Sequence, residues 1–166
     1  KDTDGHIKGF AVDAVGNLKL TNLKEDIVRI LREDFHDVRV KALRALIRLD
    51  PAMAVEMIAD FVNGGSVDDK KVYLASTGLI DGQRNLPFIT RLLKDEDEGV
   101  RRSTIGVLGG FVDDENYMEL LEDTLMGDEI PHEVLKVVKD KRLKRFKERL
   151  VGIFTDGDLR RLLSEG

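Results

Sequence analysis

Hydrophobic positions along the chain recur with helical spacing, and the same pattern returns at a fixed interval. The stretch that begins at Val38 aligns with the stretch that begins at Val100, 62 residues later. Half of that shift locates a copy at Asp69, and another copy begins 31 residues before Val38, at Ile7. A fifth copy, shorter by one residue, begins at Ile130. The sequence therefore predicts an internal repeat with a period of about 31 residues.

Each copy predicts two helices, because its apolar residues lie three, four and seven positions apart, as on one face of a helix. The first helix opens in most copies with an apolar residue followed by a basic one, and in the third copy the pattern continues to Ile80. A polar break follows, as at Asp50-Pro51 and Asp81-Gly82. We expect Asp in these breaks to cap the second helix, and Gly to close the preceding helix in the left-handed conformation.

The predicted second helices follow these breaks with apolar series of their own. Their apolar positions are Leu23, Ile27, Ile30 and Leu31; Val55, Ile58 and Phe61; Leu86, Ile89, Leu92 and Leu93; and Met118, Leu121 and Leu125. The first helix of the copy that begins at Ile7 has its own series of apolar or small residues, at Val12, Ala14, Val15, Gly16 and Leu18.

A unit of two short helices cannot bury its apolar face alone, so neighbouring units must stack. The predicted fold class is therefore all-α, an α-solenoid of about five antiparallel helix pairs wound as a right-handed superhelix. We expect the second helices to line its concave face. The predicted single domain spans residues 4–158, with units at about 4–34, 35–65, 66–97, 98–127 and 128–158, and residues 159–166 form a tail or begin a sixth repeat.

The repeat also resembles a known family. Its apolar-Arg opening, apolar-Gly run and closing Asp are seen in Val100-Arg101, Val107-Leu108-Gly109 and Asp113, and they resemble the HEAT-like repeats first associated with phycobilisome lyases. The resemblance covers about residues 4–158 and implies an α-solenoid. It implies a binding surface more than a chemistry, because this repeat occurs in adaptors as well as in lyase-like proteins. We expect no chromophore chemistry, since the chain has no Cys- or His-rich site.

Composition narrows the function classes. Hydrophobic residues make up 42% and charged residues 36% of the 166 residues, which predicts a folded chain, and the longest apolar runs are too short to cross a bilayer. The absence of cysteine excludes disulfides, thiolate metal sites and cysteine nucleophiles, and favours a cytoplasmic location. No Gly-rich phosphate loop follows a predicted strand, and no Ser-His-Asp set is recognisable. We therefore expect neither catalysis nor a cofactor.

One dipeptide is a candidate metal ligand pair. His132-Glu133 resembles the His-Glu pairs with which HEAT proteins similar to deoxyhypusine hydroxylase hold two irons. Such a centre needs several converging pairs, and the chain offers besides it only His36-Asp37 and His6. We expect His132 and Glu133 to be ordinary residues near the start of a helix, and a metal- or chromophore-dependent enzyme stays an alternative.

A basic residue recurs once per repeat, at Lys8, Arg39, Lys70 and Arg101. Such a row could follow a nucleic-acid backbone. The net charge of −5 favours the other interpretation, in which these cations pair with repeat-encoded acids such as Asp37 and Asp68 and bridge neighbouring units.

Charge is segregated near the carboxyl end. Residues 113–129 contain eight acids and no base, whereas residues 136–149 contain eight bases against Asp140 and Glu148. This pattern fits a solvated helix face and fits equally a polar surface that steers a charged partner.

The segment that follows has a resemblance of its own. Residues 150–163, which include Thr155 and Asp156, resemble the closing strand-turn-helix of a CBS domain, a module that binds adenine nucleotides. Leu159-Arg160-Arg161 also fits the opening of a sixth repeat. A short motif of this kind does not decide between the two.

The pattern as a whole predicts a non-enzymatic scaffold or adaptor that binds another protein or peptide on its concave face. The alternative from a different class is nucleic-acid binding through the basic C-terminal helix. The polar positions predicted to contact a partner are Arg29, Glu56, Arg91, Glu119, Glu122, Lys144 and Lys147.

Overall fold

A computed structural model describes residues 3–111 and 114–125, with the side chains of residues 5–111 and 114–124. Eight α-helices and two short 3₁₀ turns make up the regular structure in these ranges, which contain no strand, and this confirms the all-α prediction. The helices are α1 (Thr3–Asn17), α2 (Lys24–Glu33), α3 (His36–Leu49), α4 (Pro51–Gly64), α5 (Val67–Leu74), α6 (Gly82–Leu92), α7 (Glu98–Leu108) and α8 (Glu115–Leu125).

The chain divides into two compact units, residues 1–101 and 102–166. In the first unit α3 packs against α1, α2, α4 and α5, and α4 also contacts α5 and α6. In the described part of the second unit, the ring of Phe111 stacks on the buried Tyr117 with centroids 4.6 Å apart. None of the described helices is long and apolar enough to cross a membrane.

The predicted second-helix positions supply much of the core. Burial of each large apolar side chain contributes roughly 1.5–3 kcal/mol. The predicted positions that the structure buries are Ile27, Leu31, Ile58, Phe61, Ile89, Leu92, Met118 and Leu121.

Aspartates start two of the second helices, as predicted. Asp50 precedes α4, and its carboxylate accepts a hydrogen bond from the backbone N–H of Met53 at 3.1 Å. Pro51 occupies the first turn of α4, where its missing N–H removes no helical hydrogen bond. Asp81 caps α6 in the same way and accepts from the N–H of Arg84 at 3.3 Å.

The expectation of left-handed glycines at helix ends is wrong for the described residues, none of whose glycines has a positive φ. Gly65 follows α4 with φ −73° and ψ 164°, an extended conformation. Glycine is required at this position because the backbone passes close to the end of α4. A Cβ at residue 65 would lie 2.6 Å from the carbonyl oxygen of Phe61. Lys19 instead has the positive φ, at 53°.

The first helix of the third copy is shorter than the pattern predicts. It ends at Leu74, and a 3₁₀ turn follows at Thr77–Leu79. The hydroxyl of Ser76 donates to the carbonyl of Val72 at 3.0 Å, and the hydroxyl of Thr77 donates to the carbonyl of Leu74 at 2.9 Å. These two side-chain hydrogen bonds satisfy carbonyl oxygens of the last turn of α5, where the helix stops.

Two glycines of α1 allow a close approach to α3. A Cβ at Gly16 would lie 2.8 Å from the Cα of Ala45, which is a backbone atom and cannot rotate away. A Cβ at Gly9 would meet only the flexible side chain of Lys41, with Cδ at 3.0 Å. The Gly16 position therefore sets the distance between the two helices.

We expect Gly16→Ala to lower the free energy of unfolding by about 1–3 kcal/mol, because the added methyl group forces α1 away from α3. Gly106→Ala in α7 is the matched control, since no atom lies within 4 Å of the added Cβ. Alanine in a helix interior is more favourable than glycine by roughly 1 kcal/mol, so this variant should be as stable as the parent or more stable. Urea denaturation measures both, and equal effects of the two substitutions would contradict the packing argument.

Candidate functional site

The repeat-encoded cations form ion pairs at helix junctions. Lys8 Nζ lies 2.6 Å from Asp34 Oδ2, and Lys70 Nζ lies 2.7 Å from Asp95 Oδ2. These pairs join the first helix of a predicted unit to the segment that follows its second helix. Asp37, one of the two acids predicted for such bridges, forms no ion pair with another described residue.

Arg39 makes the most extensive of these junctions. Its Nε donates to the carbonyl of Leu31 at 2.7 Å, and its two terminal nitrogens pair with Asp68 and Asp69. The guanidinium carbon also lies 5.6 Å from the ring centroid of Phe61. The residue is only 7% exposed, so it links the C-terminal turn of α2, the ring from α4 and the N-terminal turn of α5 inside the fold.

The last cation of the series bonds to backbone carbonyls. Arg101 Nη1 donates to the carbonyl of Asp95 at 2.7 Å and to that of Glu96 at 2.9 Å. With Arg39 buried and Lys70 paired, the row does not present four free cations to a phosphate backbone. These contacts support the structural interpretation of this row of cations. Among their ion pairs, only those of Arg39 bridge neighbouring predicted repeats, because Lys8 and Lys70 pair within their own repeats.

A groove of about 760 Å³ lies between α4 and α6, which are the second helices of the second and third predicted repeats. This volume lies within the range of roughly 300–1,000 Å³ that is typical of binding clefts. Both helices present their N-terminal turns to it, and most of the lining surface is apolar. The lining residues are Asp50, Pro51, Ala52, Val55, Glu56, Arg84 and Phe88.

An ion pair fixes the entrance on the α4 side. Lys24 Nζ, at the start of α2, lies 2.8 Å from Asp50 Oδ2, while the other carboxylate oxygen caps α4. The hydrogen bond from Lys24, aided by that from the backbone of Met53, holds the pKa of Asp50 below its usual range. The same hydrogen bond raises the pKa of Lys24. The end of α4 that borders the groove is thus tied to α2.

A buried polar pair fixes the α6 side. The ring of Phe88 meets the fully buried ring of Tyr73 edge-on, with centroids 5.9 Å apart and planes at 73°. The Tyr73 hydroxyl hydrogen-bonds to Asn85 Oδ1. Asn85 Nδ2, also buried, has no hydrogen-bond partner within the described part of the chain. Because Tyr73 belongs to α5, these contacts orient α6 and hold Phe88 at the groove.

The two helices that form the groove each contribute one charged side chain to it. Glu56 on α4 and Arg84 on α6 are both exposed, and neither forms an ion pair with another residue that the structure describes. The apolar side chains of Val55 and Phe88 line the same groove. An apolar floor flanked by one free acid and one free base suits a segment with an apolar side chain between charged groups.

A second cavity, between the N-terminal parts of α1 and α3, is smaller, at about 150 Å³. It lies below the usual volume of ligand clefts, so the α4–α6 groove is the stronger candidate. The residues that line the smaller cavity are Gly5, His6, Gly9, Phe35, Asp37, Val38 and Lys41.

The structure brings only part of the predicted contact set together. Glu56 lines the groove, and the exposed Arg91 lies two turns beyond Arg84 on α6. Arg29 lies on α2 and pairs with Asp26 at 2.7 Å. In the second unit, Glu119 and Glu122 lie on α8. Lys144, Lys147, His132, Glu133 and the segment 150–163 lie outside the described residues.

Two groove residues, Arg84 and Phe88, were not among the predicted contact positions. The signal for Phe88 was an aromatic residue outside the predicted apolar series of its helix, next to Pro87. In the described ranges, no group of three or more His, Asp or Glu side chains could hold a metal ion.

Comparison with protein-family models, with curated proteins and with solved structures finds no match to this chain. The resemblance to HEAT-like repeats therefore stays a sequence-based prediction.

We expect Arg39→Met to lower the free energy of unfolding by about 2–4 kcal/mol, because two carboxylates and a carbonyl lose their donor. Lys8→Met, one period earlier, is the matched control. Its ion pair is half-exposed on the lysine side, so its loss should cost less than about 1 kcal/mol. Chemical denaturation of both variants measures the difference, and similar losses would show that burial of Arg39 adds nothing.

Stability should also fall in acid. Burial is the largest single influence on the pKa values of Asp34, Asp69 and Asp95, and it raises them. Hydrogen bonds from cations and from backbone N–H groups, together with the attraction of the cations, outweigh it and leave all three pKa values lowered. The pKa of Asp50 is lowered as well. A lowered pKa means that the unfolded state binds more protons, so this stabilisation is present above the unfolded pKa and is lost as pH falls through the folded one.

The variant Asp50→Asn isolates one of these carboxylates, since Asn still caps a helix. Its deficit in unfolding free energy relative to the parent should be largest at neutral pH. That deficit should shrink as pH falls through the range below the ordinary Asp pKa of about 3.9. Denaturation curves over a pH series measure it, and a deficit that is independent of pH would contradict the assignment.

Proposed function

We propose that this protein is a non-catalytic scaffold, an α-solenoid of about five HEAT-like helix pairs. In this proposal it holds a segment of another protein in the groove between α4 and α6. The observation that carries the proposal is this groove between second helices, at the place where a stack of helix pairs has its concave face.

The packing of the first unit supports the stacked arrangement. The first helices contact one another in chain order, α1 with α3 and α3 with α5. Arg39 on α3 also pairs with Asp69 on α5 and so joins one predicted repeat to the next, whereas Lys8 and Lys70 close their own repeats. Contacts between sequence neighbours, repeated once per period, are what a quasi-linear array requires.

The walls of the groove define the chemistry of the segment. An apolar side chain fits between Val55 and Phe88, where it displaces water from apolar surface. An acidic group of the segment would approach Arg84, and a basic group would approach Glu56. Both charges orient the segment, and reversal of either one would replace an attraction with a repulsion.

A peptide display library with random 12-residue segments is a direct probe of the groove. Selection against the full chain should enrich peptides that have an apolar residue between an acidic and a basic one. Charge reversal by Arg84→Glu or Glu56→Lys should weaken a selected peptide by about tenfold, equivalent to 1.4 kcal/mol. Titration of the labelled peptide by fluorescence anisotropy measures the change.

The control is Glu33→Lys, which reverses an exposed charge at the end of α2, away from the groove. It should leave peptide affinity within about twofold of the parent, because an exposed charge at a distance is largely screened. A selection that enriches no common peptide, or peptides whose affinity is the same for all three variants, would rule out the groove as the binding site.

A further inference from the structure

The ionisable side chains of α4 are all acidic, and those of α6 are all basic. They are Glu56 and Asp60 on α4, and Arg84 and Arg91 on α6. All four are exposed, and none of them forms an ion pair with another residue in the ranges that the structure describes. The two helices that form the groove thus carry opposite charge.

Helical register places the charges of each helix on one face. Glu56 and Arg84 line the groove. Asp60 follows Glu56 by four residues and Arg91 follows Arg84 by seven, and both spacings return to the same face of a helix. At 1.5 Å per residue, the two arginines span about 10 Å along α6. We call the first pair the acidic rim and the second pair the basic rim of the groove.

The surface next to the rims is apolar. Val55 and Phe88 line the groove and are partly exposed, and Pro51 and Ala52 border it at the start of α4. Ala59 follows Val55 by one turn and is also partly exposed. Covering this surface requires a partner that brings several apolar side chains to it at once.

The walls of the groove offer few backbone groups to a bound chain. Most N–H and C=O groups of α4 and α6 are bonded within their own helices, and the carboxylates of Asp50 and Asp81 cap the first turns. An extended segment would bring its own unpaired N–H and C=O groups against apolar surface, which costs free energy for each group that leaves water. A helix satisfies its backbone groups internally and presents only side chains.

A helix also matches the separation of charge. An amphipathic helix has an apolar stripe with a polar flank on either side. Its stripe can cover Val55 and Phe88 while a basic flank faces the acidic rim and an acidic flank faces the basic rim. An extended segment alternates between two faces and has no such pair of flanks.

We infer that the groove binds an amphipathic helix of a partner protein, which carries basic side chains along one flank of its apolar stripe and acidic side chains along the other. The inference rests on the proposed function and adds the conformation and the charge pattern of the bound segment. Turning such a helix end to end in the groove exchanges its flanks and brings like charges together, so the rims also fix its direction.

Two stapled helical peptides of one composition test the charge pattern, with fluorescence anisotropy on the full chain as the readout. Both have about 14 residues, or four turns, with a stripe of leucines and a hydrocarbon staple on the face away from the stripe. One has lysines on one flank and glutamates on the other, and its counterpart has both charges mixed on each flank. The segregated peptide should bind about tenfold more tightly, because the mixed peptide meets like charges in either direction. Equal affinities overturn the inference.

An unstapled pair of peptides tests the helical conformation. Both have the segregated sequence, and one of them has proline at a central position away from the stripe, which interrupts the helix. The proline peptide should bind about tenfold more weakly, and circular dichroism should show that only the other peptide gains helix on binding. Equal binding by the two peptides overturns the inference.

Variants of the protein test the rims. Asp60→Lys and Arg91→Glu each reverse one rim charge, and each should weaken binding of the segregated peptide by about fivefold or more. Glu33→Lys, at the end of α2, is the control and should leave the affinity within about twofold of the parent. Unchanged affinity in both rim variants overturns the inference.

The peptides also separate this inference from the proposed function. Binding of a display-selected peptide in the groove, without binding of any helical peptide, would overturn the inference and leave the proposed function standing. If neither kind of peptide binds, both fail.

Discussion

The guanidinium of Arg39 is the contact on which the first unit depends. Removing a cation from water costs several kcal/mol, and this one is offset only because partners converge on it from three other helices. Leu31 supplies a carbonyl from α2, Asp68 and Asp69 supply carboxylates from α5, and Phe61 supplies a ring from α4. Hydrogen bonds and ion pairs to a planar guanidinium are directional, so the contact favours one arrangement of these helices.

The α4–α6 groove follows from that arrangement and from two further polar links. Lys24 and Asp50 tie the start of α4 to α2, and Tyr73 and Asn85 tie α6 to α5. Burial of apolar side chains provides most of the free energy of folding, but it is non-directional. Directional hydrogen bonds decide where the ends of α4 and α6 stand, and therefore how wide the groove is.

The proposed recognition at the groove combines two physical effects. Apolar lining would provide affinity by displacing water, and the exposed charges of Glu56 and Arg84 would give a bound segment a direction.

The sequence by itself determined the helices, the 31-residue period, the aspartate caps at Asp50 and Asp81, and the recurrent cations, because these depend on local spacing and side-chain chemistry. Only the tertiary structure decided the rest. Leu18 occupies an apolar position of the repeat yet is exposed, and Lys8 pairs with Asp34 in place of Asp37. Periodicity states which face of a helix is apolar, but not which neighbour covers it. Arg84 and Phe88 became groove residues only when α5 set the position of α6 beside α4, a contact between residues distant in sequence.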